Sequence, residues 1–498
     1  MLQPEHGAST LMSVEARSGL PPWIAAELPL PPRPVGLGWL RAVGPGVIVL
    51  GVSIGSGEFL LGPAVFVRYG FSLLWAVIVA IIFQTIFNTE VMRYTLATGE
   101  PVCTGFMRTR PSSTFWAWVY AGLYLCQIGW PVWAGTAAGA IFFLVAGRLP
   151  DTSDGETIYA VAIVAFLVCV AILSVGRRIE HTLELLNWVL VVTILAGFAI
   201  LTVVFVSRDT WAAAGAGMLG FDRGAGRFAW IPAGADFVLI SGLIAFAGSG
   251  GVTNLTLSNW ARDRGYGMGQ RAGFIASLTS NEVKLASTGF TFSRDDEAMV
   301  RWRGWWRIVN ADQWGVFCIG AILGMLLPAV LYVTFLPPGS DIQGLGISAA
   351  LAAAVGAQSG PWLGATIAFL GAWLLFKTQL DNLEGLVRAV TDILWTGSAR
   401  VRTVVNGDVR RIYYGVLALV VCWAFVALRL AQPITLLRIS ANIAGVVFVI
   451  AAVHLLYLNT RLLPVHVRPP RWRRAALVGM ALFYAFFSTL SIWRVVAG

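Results

Sequence analysis

The residues best equipped for chemistry are few, and they sit inside stretches that are otherwise apolar. Glu58 follows Ile54-Gly55-Ser56-Gly57 in one such stretch, and Gly248-Ser249-Gly250-Gly251 interrupts another just before Val252-Thr253-Asn254. Glycine lets backbone leave helical angles, so each Gly-Ser-Gly reads as a point where a helix unwinds and bares its peptide groups. A helix that restarts presents unpaired N–H groups and partial positive charge. Two such ends, near Gly57–Phe59 and Val252–Asn254, converge into an anion site that needs no Lys or Arg. Ser56, Ser249 and Thr253 add hydroxyls. Glu58 complicates this: ionised and facing inward it repels an anion and attracts a cation, whereas facing outward it only caps a first helical turn.

A second concentration of polarity is Lys377, Thr378, Gln379, Asp381, Asn382 and Glu384. Ionisable groups within a membrane are costly and default to functional candidates. Lys377 and Asp381 lie four apart, so they form either a structural ion pair on one face or a positive charge beside an anion. Thr378 and Asp381, with the carbonyls of Val52 and Ser53 ahead of the first break, make a candidate site for a coupling sodium ion. Gln127, one turn before Trp130-Pro131, and Asn442 are read as cavity-lining. Gln84, Asn88, Glu90, Asn187 and Ser440 are read as hydrogen-bond glue between helices.

These groups need a frame, and composition names it. The 498 residues are 57% hydrophobic and 12% charged, with a mean hydropathy of +0.75, against about half apolar and about a quarter charged in soluble domains. Disorder is excluded, and five Cys without a CxxC spacing make no disulfide framework. A bilayer core takes about 20 apolar residues per helix. Eleven stretches qualify, near 42–68, 71–97, 114–147, 157–175, 179–206, 234–259, 313–336, 361–395, 411–430, 433–458 and 473–496. We number them spans 1 to 11 and expect helices throughout, since backbone in lipid must satisfy itself.

With residues 1–38 as an uncleaved cytoplasmic tail, 25 of the 35 Lys and Arg fall on one face. The N-terminus is therefore expected in the cytoplasm and the C-terminus outside, in a plasma (inner) membrane. The net charge of +10 then reports topology, and no nucleic-acid partner is inferred. The segment near 260–312 contains Arg301-Trp302-Arg303-Gly304-Trp305-Trp306-Arg307, a mix suited to a helix at the headgroup boundary.

Both Gly-Ser-Gly triplets fall in the first helix of a five-helix unit, residues 39–206 and 207–458, with residues 459–498 as an eleventh helix. Five is odd, so the second unit is inverted. Matching interruptions in two inverted halves mark the binding site of a secondary transporter. Close packing of small residues is the competing explanation, and the one preferred for Gly129, Gly135 and Gly139.

These residues resemble a family. Gly44-Pro45-Gly46 followed by Ile54-Gly55-Ser56-Gly57-Glu58-Phe59 is similar to the first helix of Nramp metal-ion transporters, where GPG precedes Asp-Pro-Gly-Asn. Asn254-Leu255-Thr256-Leu257-Ser258 resembles the family's Met-Pro-His-Asn-Leu-x-Leu-His-Ser stretch, and Gly176-Arg177-Arg178-Ile179-Glu180 and Glu384-Gly385-Leu386 also fit. The resemblance spans residues 38–496. It implies an all-α integral membrane protein of the LeuT-type fold, a 5+5 inverted repeat plus one helix, with helices 1 and 6 unwound at mid-membrane. The family's metal-binding Asp falls on Gly55 and its Asn on Glu58; its Met, Pro and His fall on Gly251, Val252 and Thr253. Transition metals need carboxylate, imidazole or sulfur ligands, so the resemblance implies a divergent relative, such as the Nramp-related bicarbonate branch. The expectation is a monomeric symporter of a small inorganic anion such as bicarbonate, coupled to Na⁺ or H⁺ by alternating access. The alternative is a divalent cation, Mg²⁺ or Mn²⁺, held by Glu58 and backbone carbonyls. No cofactor, resident metal or enzyme motif is expected.

Overall fold

The computed structural model describes residues 18–36, 38–175, 179–272, 288–340, 342 and 344–497, without side chains for 41 and 175–187. Gly176-Arg177-Arg178, residues 1–17 and the centre of the 260–312 segment lie outside the described residues. Among the described residues, nine helices are long and apolar enough to cross a membrane, and Pro45–Thr98 contains both span 1 and span 2. The broken span 6 completes the eleven. The chain is an all-α integral membrane protein of the LeuT-type fold.

Burial separates the spans into two shells. The most apolar windows of Pro45–Thr98 and Ser113–Ala146 are 67% buried, while that of Trp188–Phe205 is 28% buried. All nine residues of Pro45–Ser53 are buried. A helix apolar all round belongs at the centre of a bundle or in lipid. Val203, Val164, Leu419 and Leu482, on spans 5, 4, 9 and 11, face outward, which makes those spans the lipid-facing scaffold around span 1.

Span 3 is two helices, Ser113–Ile128 and Val132–Ala146. Pro131 at the start of the second has no N–H to continue the first, and Gln379 of span 8 instead accepts from the Ala134 N–H at 3.2 Å. Gly135 and Gly139 pack as expected: a β-carbon there lies 2.6 Å from Pro433 and 2.4 Å from the Leu345 carbonyl. Span 7 runs unbroken from Asp296–Asn310 through the wide turn Ala311–Cys318 into Ile319–Phe335. In that wide turn, Asp312 accepts from the Gly44 and Gly46 N–H groups at 2.9 Å each, so the first turn of span 1 is capped by span 7.

The expected headgroup helix needs correction. Trp302 and Trp305 of Asp296–Asn310 are buried in the protein, and the Arg93 guanidinium lies 4.1 Å from the Trp306 ring centroid. Only Arg303 and Arg307 of the motif are exposed. The aromatic half of the motif packs inward because the N-terminal segment covers it.

That segment is a docked strap. Ile24–Ala25 pairs in parallel with Phe290–Thr291, Leu28 is fully buried, and the Arg301 Nη1 and Trp305 Nε1 donate to the Leu28 and Pro29 carbonyls at 2.7 and 2.8 Å. Trp23 Nε1 donates to Glu100 at 3.2 Å, beside the Arg108 Nε at 2.9 Å and the Tyr94 hydroxyl at 2.6 Å. The prolines hold the segment extended at low entropic cost. Burial works against the Glu100 carboxylate, but the Arg108 charge and the hydrogen bonds from Arg108, Tyr94 and Trp23 outweigh it and hold its pKa below the usual value. A depressed carboxylate contributes stability above the unfolded pKa and loses it as pH falls through the folded one. The strap is therefore expected to stay docked from neutral pH down to about 4 and to loosen only below it. Limited proteolysis at residues 20–32 checks this, and release near pH 6.5, where ordinary histidines titrate, contradicts it.

Candidate functional site

The two Gly-Ser-Gly triplets do different things. Span 6 is broken as expected: Phe237–Phe246 stops, and Val252–Asp263 restarts after five residues in which Gly248, Gly250 and Gly251 have φ of +118°, +84° and +53°. Those angles cost an L-residue roughly 1–2 kcal/mol each. A β-carbon also has no room, lying 2.3 Å from Gln84 Oε1 at Gly248 and 2.1 Å from Gln127 Oε1 at Gly251.

Span 1 is not unwound. Pro45–Ser53 passes into a π-helical stretch, Ile54–Leu61, and on into Gly62–Tyr69 without losing helical angles at its junctions. A π-turn accommodates an extra residue without breaking the ladder and often marks a functional position. Its glycines answer to neighbours: a β-carbon on Gly55 lies 2.0 Å from Thr378 Oγ1, and one on Gly57 lies 2.0 Å from the Phe246 carbonyl oxygen. Here close packing, the competing explanation, prevails.

The free peptide groups expected at both ends are engaged. Span 1 has no restarting helix near Gly57–Phe59. In span 6, Gln127 accepts from the Val252 N–H at 2.8 Å and donates to the Gly250 carbonyl at 3.0 Å. The Thr253 and Asn254 N–H groups bond the Gly250 and Gly251 carbonyls at 3.2 Å. Gln84 donates to the Ala245 and Ala247 carbonyls at 3.2 and 2.9 Å and accepts from the Ser249 N–H at 3.1 Å. The Val52 carbonyl, expected free for sodium, accepts the Ser56 hydroxyl at 2.9 Å, and Ser56 in turn accepts from Trp133 Nε1 at 2.9 Å.

What remains is a carboxylate among oxygens. Glu58 is fully buried between spans 1, 6 and 7; its Oε1 bonds the Ser53 hydroxyl, and its Oε2 has no partner. The Gly248 and Glu58 backbone N–H groups reach toward the carboxyl as weak hydrogen bonds, and a β-carbon on Gly324 of span 7 comes 3.6 Å from Glu58 Cγ. No Lys, Arg or His among the described residues pairs with it. Beyond Gly248, the Ser249 hydroxyl donates to Asn254 Oδ1 at 2.9 Å, and Asn254 Nδ2 donates to Asn88 Oδ1 at 2.8 Å. Thr253 Oγ1 and Asn382 Oδ1 are 3.5 Å apart.

Other expected members lie elsewhere. Lys377 pairs with Asp381, one residue and so about 100° round span 8 from Thr378. Asp381 lies within electrostatic reach of Cys169 of span 4, and Lys377 is committed to this ion pair rather than free to face an anion. Asn442 is removed to the seam of spans 6, 10 and 11: its Nδ2 donates to the Val238 and Arg438 carbonyls, at 2.9 and 2.8 Å, and its Oδ1 accepts from Ser491 at 2.6 Å. Gln84, Asn88 and Asn382 belong to the site although they were read as glue or simple polarity. The four-residue spacing of Gln84 and Asn88 on one face of an apolar helix is a signal that the sequence reading did not use.

Among the described residues no three His, Cys, Asp or Glu gather as a metal cluster. No family model and no curated protein matches the chain. Solved structures do. A histidine-to-alanine variant of the Eremococcus coleocola manganese transporter matches over 95% of this chain and 90% of that chain at 15% identity, with a TM-score of 0.63. The same transporter with an aromatic bis-isothiourea compound matches over 95% and 92% at 13% identity and 0.60. A glutamate-to-glutamine variant matches over 94% and 90% at 15% and 0.63. The chain shares the fold of a manganese transporter. At this identity the likeness is one of fold, and the site must be judged on its own residues.

Proposed function

We propose that the protein is a secondary membrane transporter of a small hard cation, bound at Glu58 between spans 1, 6 and 7. One observation carries the reading: a fully buried carboxylate, Glu58, that meets only the Ser53 hydroxyl and nearby backbone N–H groups, with no close hydrogen bond at Oε2 and, among the described residues, no cationic side chain paired to it. An uncompensated buried charge costs several kcal/mol, so a proton or a cation must neutralise it. The Ser53 hydroxyl on Glu58 and, beyond Gly248, the hydrogen-bonded oxygens of Ser249, Asn254 and Asn88 are hard donors of the kind that Mg²⁺ or Mn²⁺ accepts, directly or through retained waters. Fold-sharing with a manganese transporter agrees with a cation. An anion such as bicarbonate would need the helix-end N–H donors that Gln84 and Gln127 occupy, and would meet Glu58 itself. Exchange of a proton for the cation on Glu58 supplies coupling to H⁺, and the N-terminus lies on the cytoplasmic side.

Uptake of Mg²⁺, Mn²⁺ and radiolabelled bicarbonate into proteoliposomes, with an imposed pH or sodium gradient, tests this. Cation uptake is expected in the wild type. In Glu58→Gln the lost charge partner, worth about 3–5 kcal/mol, lowers uptake by two orders of magnitude or more. Bicarbonate uptake without cation uptake overturns the proposal.

A further inference from the structure

Most buried arginines on the face that carries the N-terminus have a carboxylate. Arg93 and Arg473 share Glu90, Arg108 has Glu100, Arg262 has Asp392 and Arg388 has Asp263. Arg461, which is exposed, and Arg468 and Arg474, which are half-buried, have none. They line an open pocket of about 480 Å³ between the ends of spans 10 and 11, with Thr460, Leu456, Ala475 and Val478 as the rest of its wall. No acidic side chain lines it, and no described carboxylate pairs with any of the three. Arg468 Nε donates to the Leu463 carbonyl at 2.7 Å and Arg474 Nε to the Pro469 carbonyl at 2.8 Å. Each side chain is thereby fixed through its Nε, leaving the paired terminal N–H groups, the fork that recognises phosphate.

Partial burial and the charges of Arg474 and Arg461 depress the Arg468 pKa. Like charges gathered without a counter-ion repel, so an anion is favoured among them. The wall tells which anion. Trp472, exposed on the adjacent turn, is the residue type that sits at headgroup level. Val478 and Leu482, 46% and 67% exposed, continue down the same helix as apolar surface. The cavity therefore has a cationic end at the depth of headgroups and an apolar end at the depth of acyl chains, the form of a basic lipid pocket between transmembrane helices.

We propose that Arg461, Arg468 and Arg474 form a specific site for the phosphate of an anionic phospholipid, whose acyl chain lies along Val478. The site is separate from the Glu58 cluster, and nothing in the transport reading requires it.

Native mass spectrometry of the full-length protein from detergent holding equal phosphatidylglycerol and phosphatidylcholine tests it. The wild type is expected to retain the anionic lipid preferentially. At about fivefold per arginine, Arg468→Gln/Arg474→Gln should lower that preference about 25-fold. Arg468→Lys/Arg474→Lys, which keeps the charge, should retain most of it and shows that the pocket tolerates change. Arg400→Gln, an exposed arginine elsewhere on that face, should change nothing. A preference that survives the Gln pair overturns the proposal. So does displacement of the lipid by millimolar inorganic phosphate, which would make this a site for a soluble anion.

Discussion

Replacing Gly57 with alanine is expected to remove most of the folded, transport-competent protein, while the same change at Gly122 is expected to stabilise it slightly. The added β-carbon at Gly57 would lie 2.0 Å from the Phe246 carbonyl oxygen, 2.6 Å from its carbon and 3.2 Å from the Ala247 nitrogen. These are backbone atoms at the end of the first half of span 6, so no side chain can turn aside. Spans 1 and 6 would have to separate by more than an ångström at the one place where Glu58 faces Gly248. Overpacking costs about 1–3 kcal/mol where side chains yield, and a rigid backbone puts this site at or above the upper end. Gly122 has nothing within 4 Å of the same atom, so alanine there gains about 0.5–1 kcal/mol of helix stability. Thermal unfolding of the two purified variants decides it: a Gly57→Ala protein that melts with the wild type removes the close approach of spans 1 and 6 as the reason for this glycine.

Gln84→Leu carries the second large effect. The amide of Gln84 serves the Ala245 and Ala247 carbonyls and the Ser249 N–H, all groups of a helix that has stopped inside the bundle. Leucine has the shape but neither donor nor acceptor, and each buried group left unpaired costs about 1–3 kcal/mol. The loss should exceed that of Gln127→Leu, which leaves only the Val252 N–H and the Gly250 carbonyl. Transport should fall with stability in both, because Ser249 and Asn254 take their places from the same break. Equal, near-wild-type melting of the two variants would mean that water replaces the amides and that they do not hold the break.

The spans were legible because a bilayer sets a length that an apolar stretch either meets or does not. The break in span 6 was legible too, since three of its four consecutive small residues adopt positive φ. The same triplet in span 1 misled because glycine answers two needs with one letter, and the deciding neighbours, Thr378 and Phe246, are remote in sequence. Lys377 and Asp381 could be paired from their spacing, but the direction they face depends on a one-residue register against span 4. Gln84 and Gln127 could be seen as buried polar residues. Their office as caps could not, because the groups they cap lie more than 120 residues further on. The strap left no sign either, as its prolines and scattered leucines look like any tail until a partner strand is built.

Capping across the molecule is reciprocal. The broken helix of the later spans is closed by Gln84 and Gln127 from the earlier ones, and the first turn of span 1 is closed by Asp312 from the later ones. During synthesis, then, the earlier spans enter the membrane with their first turn uncapped. They acquire that cap only when residue 312 has been made, some 266 residues after Gly46. Neither set of spans is chemically complete alone. The earlier and the later spans are thus each other's assembly factors.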